Sequence, residues 1–315
     1  MTQKAVHTIL EAIGNTPVVR LAKIVPPNSA EVYVKLEYYN PTGSYKDRMA
    51  LAMIERAEER GDLRPGMTVV EYTGGSTGSS LAFVCAVKGY HFSVVSSDAF
   101  AREKLETMRA FGADLTVIPS DGGQVTPDLI PRMMERAEEI AGSRPSYFTN
   151  QLNNHDGAGG YEPIGSELLE QIPGPVDAFC ASVGTAHMLM GVSRVLRNAN
   201  RSTRIVALEP ASSPIISKGT SGTHHVEGIG IGFFPPLLEQ SLYDEARGID
   251  EAGSRRMAWR LAREEGIFAG TSSGMNVLGA CELAKELGPG RTVVTVAVDT
   301  GLKYLAGDLY GAEQP

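Results

Sequence analysis

Lys46 sits in a run made almost wholly of turn residues, Asn40-Pro41-Thr42-Gly43-Ser44-Tyr45-Lys46-Asp47-Arg48, directly before a helix-like stretch from Met49 to Arg60. A lysine meant only for solvent needs no such setting. A lysine that must present its amine to an aldehyde does, because Schiff-base chemistry requires a fixed amine that is easily deprotonated. Three further glycine turns offer the rest of a binding apparatus. Thr73-Gly74-Gly75-Ser76-Thr77-Gly78 follows the apolar run Val69–Tyr72 and opens a helical pattern. Strand, small-residue turn and helix together aim unpaired backbone N–H groups and a positive dipole end at an anion. The turn lacks the lysine of a triphosphate loop and the spacing of a dinucleotide fingerprint, so its anion is a carboxylate or a single phosphate. Ser182-Val183-Gly184-Thr185-Ala186-His187 repeats the arrangement, and Gly270-Thr271-Ser272-Ser273-Gly274 places hydroxyls before a third helix.

The elements that must hold these turns alternate along the chain. Strand patterns fall at Val32–Leu36, Thr68–Tyr72, His91–Ser96, Asp114–Ile118, Ala178–Ser182, Arg204–Glu209 and Thr292–Val298. Helical periodicity marks Tyr45–Arg60, Ser79–Lys88, Ala101–Phe111, Pro127–Ala141, Gly160–Gln171, His187–Arg197, Gly253–Glu265 and Ser273–Leu287. Such alternation predicts an α/β protein with mainly parallel sheets covered by helices. At 315 residues the chain is long enough for two domains. We place them at 1–145 and 146–315, with the early strand near Pro17–Leu21 expected to cross to the second.

Bulk composition narrows the function. The net charge of −8 with no basic stripe argues against nucleic-acid binding. Cys85, Cys180 and Cys281 are isolated, as expected of buried reduced thiols, and no metal-ligand cluster stands out. No apolar segment is long enough to span a bilayer. Met1-Thr2-Gln3-Lys4 leads into no signal-peptide core, so a cytoplasmic protein is expected.

Taken in order, these motifs resemble those of the cysteine synthase (O-acetylserine sulfhydrylase) and cystathionine β-synthase family, pyridoxal-phosphate enzymes of fold type II, the tryptophan synthase β-like fold. The resemblance runs from Ile13-Gly14-Asn15-Thr16-Pro17 through Asn40–Arg48, Thr73–Gly78, Gly184-Thr185, Glu227-Gly228-Ile229-Gly230 and Gly270–Gly274 to Asp299-Thr300-Gly301. It implies pyridoxal 5'-phosphate bound through Lys46. It implies an amino-acid carboxylate held by Thr73, Gly74, Gly75, Ser76 and Thr77 with help from Gln151. Gly228 matches the loop over the substrate amine. The cofactor's phosphate falls to Gly184, Thr185, Ala186, His187 and Met188, its pyridine nitrogen to Ser272, and the usual state is a homodimer.

Two segments depart from the family pattern. Ser76 stands where an asparagine usually contacts the cofactor's phenolic oxygen. The cup usually reads Gly-Thr-Gly-Gly-Thr, whereas here a hydroxyl is lost at Met188 and an imidazole gained at His187. The activity implied is β-replacement, with L-cysteine made from O-acetyl-L-serine and sulfide through an α-aminoacrylate. Lys46 would act as general base and Ser272 as a neutral partner for the ring. Two readings stay open beside it. One is a related synthase of β-substituted alanines using serine or phosphoserine and another nucleophile, or a cystathionine β-synthase-like activity. The other is a non-catalytic module that binds a ligand at its helix starts. Outside the motifs, Asp47 is expected to fix the start of the lysine helix, and His224 and His225 to lie exposed in a polar loop.

Overall fold

A computed structural model describes residues 5–123, 126 and 128–311. The chain divides into two units, Met1–Gly14 with Asn40–Gly160, and Asn15–Tyr39 with Tyr161–Pro315. It contributes first to the second unit, through β1 (Val18–Arg20) and β2 (Glu31–Leu36), which pair antiparallel. The first unit then follows as α1 (Lys46–Arg60), β3 (Thr68–Tyr72), α2 (Ser76–Lys88), β4 (His91–Ser97), α3 (Arg102–Ala110), β5 (Asp114–Ile118), α4 (Leu129–Gly142), β6 (Ser146–Phe148) and the short α5 (Asp156–Gly159). The rest of the second unit comprises α6 (Glu162–Gln171), β7 (Ala178–Ser182), α7 (His187–Ala199), β8 (Arg204–Pro210), the short α8 (Ile215–Lys218), β9 (Glu245–Ile249), α9 (Glu251–Arg260), α10 (Thr271–Leu287) and β10 (Thr292–Ala297).

The first unit carries a parallel sheet in the order β5-β4-β3-β6, and the second a sheet in the order β1-β2-β10-β7-β8-β9 in which β1 alone runs antiparallel. The protein is therefore α/β with mainly parallel sheets. Every residue of β3, β7 and β10 is buried, as befits parallel strands covered by helices on both faces. In the first unit Val70, Tyr72 and Val95 pack against Leu129 and Met133 of α4. In the second, Val34, Val206, Leu208 and Val293 share a core with Met275 and Val277 of α10. The three cysteines lie in these interiors, and burial pushes each thiol up to about 12, which makes them poor nucleophiles. Among the described residues no helix is long and apolar enough to cross a membrane.

Several elements differ from the sequence pattern. β6 and β9 were not anticipated. β6 extends the first sheet by pairing with β3, Thr68 opposite Ser146 and Val70 opposite Phe148, so the first unit runs to Gly160 rather than ending near 145. α2 begins at Ser76, three residues before the expected Ser79. The helix expected over Gly253–Glu265 is instead α9 followed by a π-helical turn, Leu261–Glu265. The carboxylate of Glu265 accepts from the backbone N–H groups of Ala22, Lys23 and Ile24, tying down the β1–β2 connection. Pro127, the expected start of the helix before β6, lies outside the described residues, and that helix begins at Leu129.

Candidate functional site

Each glycine turn follows a parallel strand or opens a long helix, where backbone donors stand at the carboxyl ends of a sheet. In the first unit, Lys46 is the first residue of α1 and is only 7% exposed. Its Nζ lies 4.0 Å from the Met49 sulfur and 5.0 Å from the centre of the Tyr45 ring. The preceding turn is built around Asp47, whose carboxylate accepts from Thr42 N at 2.8 Å and from Thr42 Oγ1 at 2.6 Å. Asn40 ties the turn down by accepting from Gly14 N at 2.8 Å. Asp47 thus holds the helix start that presents the lysine.

β3 delivers the second turn. Thr73 donates its N–H to Val95 and accepts from Ser96 Oγ through its carbonyl, which fixes the end of the strand. A Cβ on Gly74 would lie 2.5 Å from the Phe100 ring, which would have to move aside. With Gly75 as its cap and no side-chain capping bond, α2 offers the first-turn N–H groups of Ser76, Thr77 and Gly78 to an incoming group. Thr77 Oγ1 donates to Gln151 Oε1 at 2.7 Å, so these two predicted residues meet directly.

Behind them lies a group that the sequence reading missed. Glu71, in β3, is fully buried. Its Oε2 accepts from Thr149 Oγ1 at 2.6 Å and from Gln151 N at 3.0 Å, and its Oε1 accepts from Tyr72 N at 2.9 Å. Burial pushes its carboxyl up to about 7, while those three donors and the charge of Lys46 pull the other way. The signal was legible in principle as a carboxylate inside the otherwise buried strand Thr68-Val69-Val70-Glu71-Tyr72.

In the second unit, β7 leads into Val183, Gly184, Thr185 and Ala186, and α7 starts at His187. A Cβ on Gly184 would run into the carbonyl of Gly228, which brings two predicted residues into contact. Ala186 has φ 70°, left-handed for a residue with a side chain, and caps α7 without a side-chain bond. His187 is fully buried, with Nδ1 2.9 Å from Thr185 Oγ1, and Met188 is buried beside it. Ser182 Oγ, also buried, has no hydrogen-bond partner among the described residues. Its backbone N–H is held by Asn276 Oδ1 at 2.7 Å, and Asn276 also donates to Val296 O.

The Gly270 turn separates two neighbouring serines. Ser273 Oγ accepts from Val298 N at 2.9 Å, so its hydroxyl serves the backbone. Ser272, 4% exposed, makes no side-chain hydrogen bond among the described residues. The loop over 224–230 closes on the residue that follows β7: Gly230 N donates to Val183 O, and His224 Nε2 lies 2.9 Å from Gly230 O. His224 therefore pins this loop rather than lying exposed as expected. Its neighbour His225 is exposed and lies 3.3 Å from Glu251.

These donor sets fit the expected cofactor. The 182–188 turn offers an orphaned hydroxyl, uncapped first-turn amides and a buried imidazole, a combination suited to one phosphate. Lys46 supplies a positioned, nearly buried amine. The 73–78 turn, with its amides and the Thr77–Gln151 pair, is suited to a carboxylate.

A model of the family described as "Pyridoxal-phosphate dependent enzyme" matches residues 9–299. The chain is 44% identical over 313 residues to a protein named cysteine synthase from Staphylococcus aureus (strain Mu50 / ATCC 700699), covering 98% of this chain and 99% of that protein. Among solved structures it is similar to O-ureido-L-serine synthase, with a TM-score of 0.92 and 35% identity over 99% of this chain and 98% of that one. It is also similar to the cysteine synthase of Entamoeba histolytica, with a TM-score of 0.91 and 31% identity over 99% of this chain and 93% of that one.

Proposed function

Because the chain belongs to the family of pyridoxal-phosphate dependent enzymes, we propose that it is a β-replacement enzyme that makes L-cysteine from O-acetyl-L-serine and sulfide. The bond from the β-carbon to the acetoxy oxygen breaks, acetate leaves with that electron pair, and a C–S bond forms in its place. The α-proton is removed and later returned. The observation that carries this reading is Lys46, a nearly buried amine at a helix start, in the same unit as an anion-binding turn already bonded to Gln151.

Pyridoxal phosphate, when bound, supplies the electron sink that makes the α-proton removable. With the cofactor bound, Lys46 would hold it through its aldehyde carbon, and its Nζ, when free, would take the substrate's α-proton. The amides and hydroxyls of Thr73, Gly74, Gly75, Ser76 and Thr77, with Gln151, bind the substrate carboxylate, and Gly228 belongs to the loop over its amine. Gly184, Thr185, Ala186, His187 and Met188 would receive the phosphate. In place of the hydroxyl missing at Met188, His187 and Ser182 supply side-chain donors. Ser272 would give the ring nitrogen a neutral partner. Such a partner would not hold that nitrogen protonated, which would favour fast elimination at the β-carbon.

Borohydride reduction of the protein loaded with pyridoxal phosphate, followed by peptide mass mapping, tests the assignment. A cofactor adduct on the peptide carrying Lys46, and its loss in Lys46→Ala together with turnover, is the expected result. A protein that takes up no cofactor, or an adduct on another lysine, would overturn it.

Ser76 and the altered cup favour a second reading, a related synthase of β-substituted alanines that uses serine or phosphoserine or a nucleophile other than sulfide, including a cystathionine-forming activity. The likeness to O-ureido-L-serine synthase supports it. A screen of donors against nucleophiles separates the two, because sulfide with O-acetyl-L-serine gives the fastest turnover only under the first. We also propose a homodimer, of about twice the 33.6 kDa chain mass on sedimentation, located in the cytoplasm, where three unpaired cysteines stay reduced.

A further inference from the structure

We propose that Glu71 is a positioning residue for the amino-acid substrate: its buried carboxylate sets the turn at 149–151 so that Gln151 meets the substrate carboxylate together with Thr77. This inference rests on the reading of the 73–78 turn and Gln151 as the carboxylate site.

The geometry is local to one unit. β6 pairs with β3 only as far as Val70 opposite Phe148, and Thr149 N then donates to Val70 O at 3.0 Å. Beyond that point the backbone ladder stops, and the Glu71 side chain takes over. Its Oε2 grips Thr149 through the hydroxyl and Gln151 through the backbone N–H. Between those two lies Asn150 at φ 43°, a left-handed conformation that a side-chain-bearing residue keeps only when its flanks are held. Asn154 Nδ2 donates to Thr149 O at 2.9 Å and supports the same turn from the other side.

The outcome is a fixed direction for the Gln151 side chain. Its Oε1 accepts from Thr77 Oγ1 at 2.7 Å, and its Nε2 points to Tyr72 O at 3.4 Å. That longer contact leaves the amide N–H₂ as the part of the side chain best placed to turn to a ligand. Glu71 touches neither substrate nor cofactor in this scheme. It acts through Gln151, and it belongs to the same strand that delivers Thr73. One carboxylate thus ties both halves of the carboxylate site, the loop after β3 and the turn after β6, to a single buried anchor.

The test uses the intact protein and O-acetyl-L-serine as the varied donor, with sulfide saturating. Glu71→Ala should raise KM for the donor about ten-fold or more while kcat falls less than about three-fold, because a binding contact is loosened while the base, Lys46, is retained. Glu71→Gln, which keeps one oxygen for Thr149 and Gln151, should recover most of that loss. Gln151→Ala should raise KM similarly, and the double variant should be no worse than Gln151→Ala alone. Independently of turnover, hydrogen exchange at residues 149–154 without substrate should quicken about ten-fold or more in Glu71→Ala and little in Glu71→Gln.

If Glu71→Ala does not fold, Thr149→Val removes one of the two grips and should move exchange and KM in the same direction by a smaller factor. Unchanged exchange and KM in these variants would overturn the proposal, as would effects of Glu71→Ala and Gln151→Ala that multiply. A silent Gln151→Ala beside fast exchange in Glu71→Ala would instead remove the carboxylate-site reading, and the proposal with it.

Discussion

At the scale of single residues, Glu71 also makes a prediction about stability. Burial raises its carboxyl from 4.5 to about 7, so the folded chain holds this proton more tightly than the unfolded chain does. For an acid shifted upward, the contribution to stability is complete below about pH 4.5 and is lost as pH rises through about 7. The difference of roughly 2.5 pH units corresponds to roughly 3 kcal/mol across that window. Glu71→Gln carries no titrating group, so wild type should lose stability relative to this variant by about that amount between pH 4.5 and 8. Urea midpoints measured for both proteins across that range provide the check, and parallel profiles would contradict the shift. The sequence already singled out Lys46, because turn residues around a lysine are visible without a structure. It did not single out Glu71 or Asn276, whose importance lies in partners 78 and 94 positions away. A carboxylate in an apolar strand or an asparagine in a buried helix could have raised the question, but only tertiary contacts name what each one holds.

Elements were legible where hydrophobic pattern and chain length agreed. β3 and β7 fall where the pattern put them, because strands buried on both faces are written as mostly apolar runs. β6 is three half-buried residues and β9 reads Glu-Ala-Arg-Gly-Ile, so neither carries that signature. β9 is instead secured at the sheet edge by Arg247, which pairs with Glu245 and Glu286, and by parallel pairing with β8. The start of α2 was misplaced because Ser76 and Thr77 read as turn residues, yet as first-turn residues they present the N–H groups the site needs. The start of α7 supports a mutation of its own. Ala186 holds φ 70°, a conformation costing a residue with a Cβ about 1–2 kcal/mol, whereas glycine reaches it freely. Part of that gain is offset by the greater freedom of glycine in the unfolded chain, about 0.4–1 kcal/mol. Ala186→Gly should therefore stabilise the protein by about 0.5–1 kcal/mol and leave cofactor affinity within about two-fold. Chemical denaturation and cofactor titration measure both. A loss of about 1 kcal/mol, as for glycine inside a helix, would mean that the backbone there is not held left-handed.

For the whole molecule, the decisive feature is that neither unit is a continuous stretch of chain. Residues 15–39 are needed by a sheet whose other strands come after residue 160. β2 lies inside that sheet, between β1 and β10, with all six residues from Glu31 to Leu36 in register with Thr292 to Ala297. A fragment spanning 161–315 would lose Leu21, Ile24, Val32, Val34 and Leu36 from its core. At about 1.5–3 kcal/mol for each buried aliphatic side chain, that is about 7–15 kcal/mol, comparable to the total stability of a typical domain. It would also lose Lys35, whose ammonium lies 2.5 Å from Glu167 and also donates to Gln171, and so take a cation away from a largely buried carboxylate. The fragment 161–315 should therefore show no cooperative thermal transition and should bind a hydrophobic dye. Adding 15–39 through a linker should restore the transition. The fragment 40–160 keeps all four strands of the smaller sheet and should retain helical circular dichroism without its partner. A sharp, reversible melt for 161–315 alone would show that the crossing segment is an accessory, and that the larger unit closes its sheet without it.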